Sequence, residues 1–150
     1  MAITSSQLLR ASRQFKRYYE GRFASLLRRE GLTMRELHVL LFLANNPDRD
    51  TARDVVELRG LPKSQVSGAV DLLVERGLLL RQPDREDRRV VHLALTEEGI
   101  ALGREAREIQ SACVQDILSP LTAAESAQFQ LLLEKILRIV ERKTQKGANL

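Results

Sequence analysis

Cysteine, histidine and tryptophan are scarce in this sequence, which has one cysteine, two histidines and no tryptophan among 150 residues. A single cysteine excludes an intrachain disulfide and suits a reducing compartment. So few histidines and cysteines leave little for a metal site, and we expect neither a metal nor a cofactor. No apolar run approaches the roughly 20 residues that a membrane helix needs. The N-terminus also lacks the long apolar core of a secretory signal, which predicts a cytoplasmic protein.

The composition is that of a globular protein, with 43% hydrophobic and 29% charged residues. The length predicts one domain over residues 1–150. Charge is uneven, because residues 1–35 hold eight basic and two acidic residues. This basic segment indicates a polyanion or an anionic ligand nearby. Two alternatives are a solvated helix face and a membrane-surface helix.

Helix-start and helix-stop signals recur along the chain. Four threonines are followed three residues later by Gln, Asp or Glu, as in a capping box: Thr4, Thr33, Thr51 and Thr122. Glycines that suit a left-handed helix end follow three of the helical patterns: Gly31, Gly60 and Gly77. These signals and the apolar periodicity predict helices over about 6–30, 34–45, 52–59, 62–76, 97–118 and 123–144, with strands at 78–82 and 90–95.

The predicted fold is mainly α with a small β wing. Two short helices joined by a turn at Gly60 form a helix-turn-helix, and the hairpin after them makes it winged. In such motifs the second helix enters the major groove of DNA. The long helices at the two ends have apolar stripes that need a partner. We expect them to pair across a dimer axis, with packing inside a monomer as the alternative.

The second helix of the predicted motif has two distinct faces. We expect an inward apolar stripe of Val66, Ala69, Val70 and Leu73. The opposite face has side chains that bind phosphates and base edges: Lys63, Ser64, Gln65 and Ser67. A helix N-terminus also favours phosphate. This face is therefore a candidate DNA-binding surface.

The turn of the hairpin is rich in arginine, with Arg85, Arg88 and Arg89. A guanidinium on a thin turn can reach the narrow minor groove. We expect Asp84 and Asp87 to brace the turn through turn hydrogen bonds and pairing with arginine. The alternative is a solvated hairpin with ordinary surface charge.

Three segments, LTMRELHVLLFL, LPKSQVSGAVDLLVERGLL and PDREDRRVVHLALTEEG, resemble the MarR family of bacterial winged-helix transcription regulators. The resemblance implies a homodimeric regulator, acting as a ligand-responsive repressor on a pseudo-palindromic duplex. It implies that Ser64, Gln65 and Ser67 lie in the major groove and that Arg88 enters the minor groove. Residues 32–95 would form the DNA-binding core, and residues 6–30 and 97–145 the dimerisation helices.

Many MarR-family proteins bind small phenolic or anionic compounds between the dimer helices and the DNA-binding domain. By this resemblance, a pocket would be lined by Tyr18, Tyr19, His38 and Phe42, with Arg13 or Arg17 contacting a carboxylate. The alternative is that the aromatic residues belong to the core. Gly68 departs from the family, which often has a longer, basic side chain at this position.

Two other functions stay open at this point. A winged helix can act as a protein-interaction module without sequence specificity for DNA. An enzyme is the second alternative, but the sequence has no Gly-rich phosphate loop and no Gly-x-Ser-x-Gly elbow. We therefore do not expect catalysis. We expect Cys113 to pack as a small apolar group, and His92 to lie on a face of the sheet.

Overall fold

The computed structural model describes residues 3–147, which form seven helices and one two-stranded antiparallel sheet. The helices are α1 (Ser5–Gly21), α2 (Ala24–Glu30), α3 (Met34–Asn45), α4 (Ala52–Arg59), α5 (Lys63–Glu75), α6 (Glu97–Leu118) and α7 (Ala123–Gly147). The strands are β1 (Leu79–Pro83) and β2 (Val91–Leu95). The predicted fold class, mainly α with a small β wing, is confirmed.

The capping boxes and left-handed glycines predicted from the sequence form at the predicted residues. All four capping boxes form, at Thr4, Thr33, Thr51 and Thr122. The predicted glycines are left-handed, with φ of 63° at Gly31, 73° at Gly60 and 70° at Gly77. Because each signal satisfies backbone groups locally, the helix ends lie within about three residues of prediction.

The predicted helix over 6–30 is wrong, because the chain forms two helices there, α1 and α2. The break follows Gly21, which has a low helix propensity. The Phe23 amide bonds to the Glu20 carbonyl at 3.1 Å, a tighter pattern than that of an α-helix. The Phe23 ring is fully buried and meets the Tyr19 ring edge-on at 5.1 Å. Burial of this ring therefore accompanies the turn.

The chain divides into two units, and the first, which runs through Ser111, holds the winged helix-turn-helix. Helix α3 is its central element, since most of its side chains are buried. The predicted inward stripe of α5 is confirmed: Val66, Ala69, Val70 and Leu73 are all buried. Strands β1 and β2 pair from Leu79 with Leu95 to Pro83 with Val91. The sheet packs against α3 and α5, so the wing lies beside the helix predicted to enter DNA.

The second unit begins at Ala112 and includes helix α7. Cys113 is buried, as expected of a small apolar residue. The side chains of α7 that the structure describes are mostly exposed, including large apolar ones: Phe129, Leu131, Leu132, Leu133, Ile136, Leu137, Ile139 and Val140. In the described part of the chain, no helix combines the length and the apolar character needed to cross a membrane.

Candidate nucleic-acid interface

Helix α5 presents the predicted polar face to solvent. The four side chains on that face are all exposed: Lys63, Ser64, Gln65 and Ser67. The opposite face is fixed in the core, so α5 cannot rotate to hide its polar residues. The helix has 13 residues, about 20 Å at 1.5 Å per residue. Pro62 is its N-cap, so the helix begins one residue after the predicted start at 62.

Gly68 lies on α5 among these polar residues and is half-buried. A Cβ atom added at this position would meet nothing within 4 Å. The helix surface at Gly68 is therefore open, and no neighbouring group explains the missing side chain.

An ion pair that the sequence did not predict joins α5 to the wing. Arg81 of β1 contacts Asp71 of α5 through Nη2 and Oδ1. Both side chains are largely exposed, so we expect a small contribution to stability. The pair neutralises an acidic group near the candidate DNA-binding face.

The wing turn exposes Arg85, Arg88 and Arg89, as predicted. Asp84 Oδ2 accepts hydrogen bonds from the amides of Glu86 and Asp87, at 3.0 and 2.9 Å. Asp87 Oδ1 accepts one from the Arg89 amide at 3.0 Å. The predicted turn hydrogen bonds are confirmed. The predicted arginine pairing is wrong: among the described residues neither Asp84 nor Asp87 forms an ion pair with arginine, and Asp84 Oδ1 contacts His92 instead.

His92 connects the wing to the loop before α4. Its Nδ1 lies 2.8 Å from Asp50 Oδ1, and its Nε2 lies 2.8 Å from Asp84 Oδ1. Hydrogen bonds with Asp50 and Asp84 raise the pKa of His92. The Asp87 amide, with His92 and the Glu86 amide, lowers the pKa of Asp84 to about 2.

Backbone contacts accompany the His92 side chain. The Leu93 amide donates to the Asp50 carbonyl at 2.7 Å, and Thr51 forms a β-bridge with His92. His92 lies on the sheet, as predicted, but neither of its carboxylate partners was predicted from the sequence. Asp84 lies in the same hairpin and could have been considered, whereas no local pattern indicates Asp50, 42 residues away.

The residues predicted to bind a small molecule have different environments. Phe42 is buried, and Tyr19 packs against the same hydrophobic cluster and accepts a hydrogen bond from Gln110 at 2.9 Å. His38 is half-buried, and its burial, with the charge of Arg59, lowers its pKa. The three remaining predicted residues, Arg13, Arg17 and Tyr18, are exposed. The binding role of these residues stays a prediction.

The MarR family model matches residues 30–90, the segment that includes the helix-turn-helix and most of the wing. The transcriptional repressor MprA of Escherichia coli K12 is 31% identical over 88 residues, 59% of this chain and 50% of that protein. The chain thus spans half the length of this relative. The homoprotocatechuate degradative operon repressor of E. coli is 26% identical over 117 residues, 78% of each chain.

A solved structure extends the similarity beyond the matched segment. The crystal structure of an S. aureus MepR–DNA complex superposes with a TM-score of 0.72 at 26% identity, covering 91% of this chain and 98% of MepR. The terminal helices therefore belong to the shared fold as well as the winged core. The chain is therefore similar to the MarR family over its helix-turn-helix, and it shares its fold with MepR over nearly its whole length.

Proposed function

We propose that this protein is a sequence-specific, double-stranded-DNA-binding transcriptional regulator that acts as a homodimeric repressor. The observation that carries the proposal is the exposed polar face of α5 beside three exposed arginines of the wing. The structural match to MepR, solved with DNA, supports it. The matched relatives are named as repressors, which favours binding over catalysis. Such a regulator would act in the bacterial cytoplasm.

In this proposal α5 and the wing read different parts of the duplex. Ser64, Gln65 and Ser67 contact base edges in the major groove, and Lys63 binds a phosphate at the start of the helix. Arg88 enters the minor groove, where a narrow width favours arginine, while Arg85 and Arg89 contact the backbone. Phosphate contacts supply most of the affinity, so binding falls steeply with salt.

The exposed apolar residues of the end helices support the homodimer. Leu131 is 67% exposed and Ile136 56% exposed on α7, and Phe15 is 51% exposed on α1. Large apolar side chains left exposed on a helix in this number mark an interaction site. We propose that a second copy covers these faces. The two α5 helices would then reach half-sites about 34–36 Å apart, one turn of DNA.

A small anionic or phenolic effector is part of the proposal. It is supported by the relative named as a repressor of a homoprotocatechuate degradative operon. The candidate residues are those predicted from the sequence, with Tyr19, His38 and Phe42 in or beside the core of the first unit. An effector that prefers one dimer conformation would change the separation of the α5 helices and so the affinity for the operator.

The test is selection of bound duplexes from a random pool, followed by salt titration of the selected site. We expect a selected pseudo-palindrome whose affinity falls linearly with the logarithm of salt concentration. A protein-interaction module would enrich no sequence. Enrichment of a single half-site without symmetry would contradict the homodimer.

A further inference from the structure

His92 joins two segments that are distant in sequence, the loop before α4 and the wing turn. Its two ring nitrogens contact different carboxylates, Asp50 at Nδ1 and Asp84 at Nε2, both at 2.8 Å. A carboxylate only accepts hydrogen bonds, and a neutral imidazole has a single N–H. Both contacts are therefore hydrogen bonds only when the ring is protonated. We name Asp50, His92 and Asp84 the His92 clamp.

The His92 clamp extends directly to the arginines of the wing. The Asp84 carboxylate that contacts His92 also accepts hydrogen bonds from the amides of Glu86 and Asp87, which lie between Arg85 and Arg88. At the other end, Asp50 lies one residue before Thr51, the cap of α4. Hydrogen bonds through His92 and Asp84 thus connect the residue before the α4 cap to the wing turn.

We propose that His92 is a positioning residue, whose protonated ring holds the wing arginines in the orientation that binds DNA, so that DNA affinity falls when the ring loses its proton. This inference rests on the proposed function. Four charged groups face the ring or line the cleft beside it: Asp50, Asp84, Arg85 and Glu86. The backbone partners of His92, Gln82 on β1 and Thr51 in an isolated β-bridge, are uncharged.

The direction of the pH effect follows from the charges. The two carboxylates raise the pKa of His92 above its ordinary value of about 6.5. The stabilisation of the wing turn by protonated His92 is therefore complete below about pH 6.5. It is lost as the pH rises through the pKa of His92 in the folded protein. Asp84, with a pKa of about 2, stays charged throughout this range.

The first test uses the free protein. NMR titration of the two histidines, assigned with His92→Gln, should show that His92 titrates above His38. Hydrogen-exchange protection of the Glu86 and Asp87 amides should fall as His92 deprotonates and should be lost in His92→Gln at every pH. Protection that does not change with His92 titration would overturn the proposal.

The second test measures affinity for the selected duplex at about pH 6 and pH 8.5, on either side of the expected transition. Wild-type affinity should fall by about tenfold, the size of one lost charge-assisted hydrogen bond. His92→Gln should bind the duplex weakly at both pH values. Asp50→Asn should show a smaller pH dependence of affinity than the wild type. Asp48→Asn removes the same charge from the same loop outside the His92 clamp and should behave as wild type.

The outcomes separate the inference from the function on which it rests. A wild-type pH dependence that persists in His92→Gln would refute the positioning role. A pH-dependent wing in a protein that binds no duplex at any pH would instead refute the proposed function and leave the His92 clamp supported.

Discussion

Single side chains on α5 and the wing should differ in what they contribute to binding. Gln65 has an amide that can donate and accept, so it can form a bidentate contact with one base edge. Arg88 has only donors and a permanent charge, which suits phosphates and the minor groove of many sequences. Both are exposed, so replacing either should leave the fold intact.

We predict that Gln65→Ala changes base preference at one position of each half-site. Each lost bidentate contact should reduce the discrimination against the wrong base by about 1–3 kcal/mol. Arg88→Ala should weaken binding to most sequences and flatten the salt dependence. Competition gel shifts with single-base variants and a salt series measure both effects. Arg28→Ala, an exposed arginine of α2, is the control. Unchanged affinity and salt slope in Arg88→Ala would refute its assignment to the minor groove.

The wing and α6 meet at an element boundary formed by Thr96 and Gly99. The Thr96 hydroxyl donates to the Gly77 carbonyl at 2.6 Å and accepts from the Gly99 amide at 3.1 Å. Gly99 is buried against Leu78, the residue before β1, and a Cβ there would overlap the Leu78 carbonyl oxygen. The Leu-Thr-x-x-Gly sequence therefore fixes the start of α6 against the wing.

We predict that Gly99→Ala destabilises the protein by about 1–3 kcal/mol or more, because backbone must move to admit the methyl group. Gly68→Ala is the matched control, since it makes the same change in open space on α5. It should stabilise the protein by about 0.5–1 kcal/mol through helix propensity. Urea denaturation measures both values. Equal effects of the two substitutions would contradict this account of Gly99.

The elements that sequence analysis predicted well are those with local signals. Thr33 caps the start of α3, and Thr51 and the left-handed Gly60 bound α4, all at the predicted residues, because each satisfies its own helix end. The break after Gly21 was missed, since it accompanies burial of the Phe23 ring. The contact between Asp50 and His92 was missed for a similar reason, because the tertiary fold alone brings these residues together.

On the scale of the whole molecule, the chain leaves a large apolar surface exposed for its size. The largest group of exposed apolar side chains lies on α7, and others lie on α1, the wing and α6. An apolar helix face that is exposed to this extent marks an interaction surface, which the proposed homodimer would cover. The homodimer is therefore the assembly on which DNA binding by two α5 helices would depend.

We predict that Ile136→Glu weakens the dimer by about 2–3 kcal/mol, because it removes a buried apolar side chain from the interface and introduces a charge. Lys135→Glu introduces the same side chain one residue earlier, at an exposed polar position, and serves as the control. Light scattering should give the wild type a mass near twice the 17.0 kDa of one chain. An Ile136→Glu protein that remains dimeric would show that α7 does not form the interface.

The contact between Asp50 and His92 also limits how this hairpin could be transplanted. Residues 79–95 contain both strands, the arginines and Asp84, but not the carboxylate at Asp50 on which His92 depends. A chimera that receives only the hairpin would lack half of the contacts to the imidazole ring. Moving this wing to another scaffold therefore requires an acidic residue just before the first helix of the recipient's helix-turn-helix.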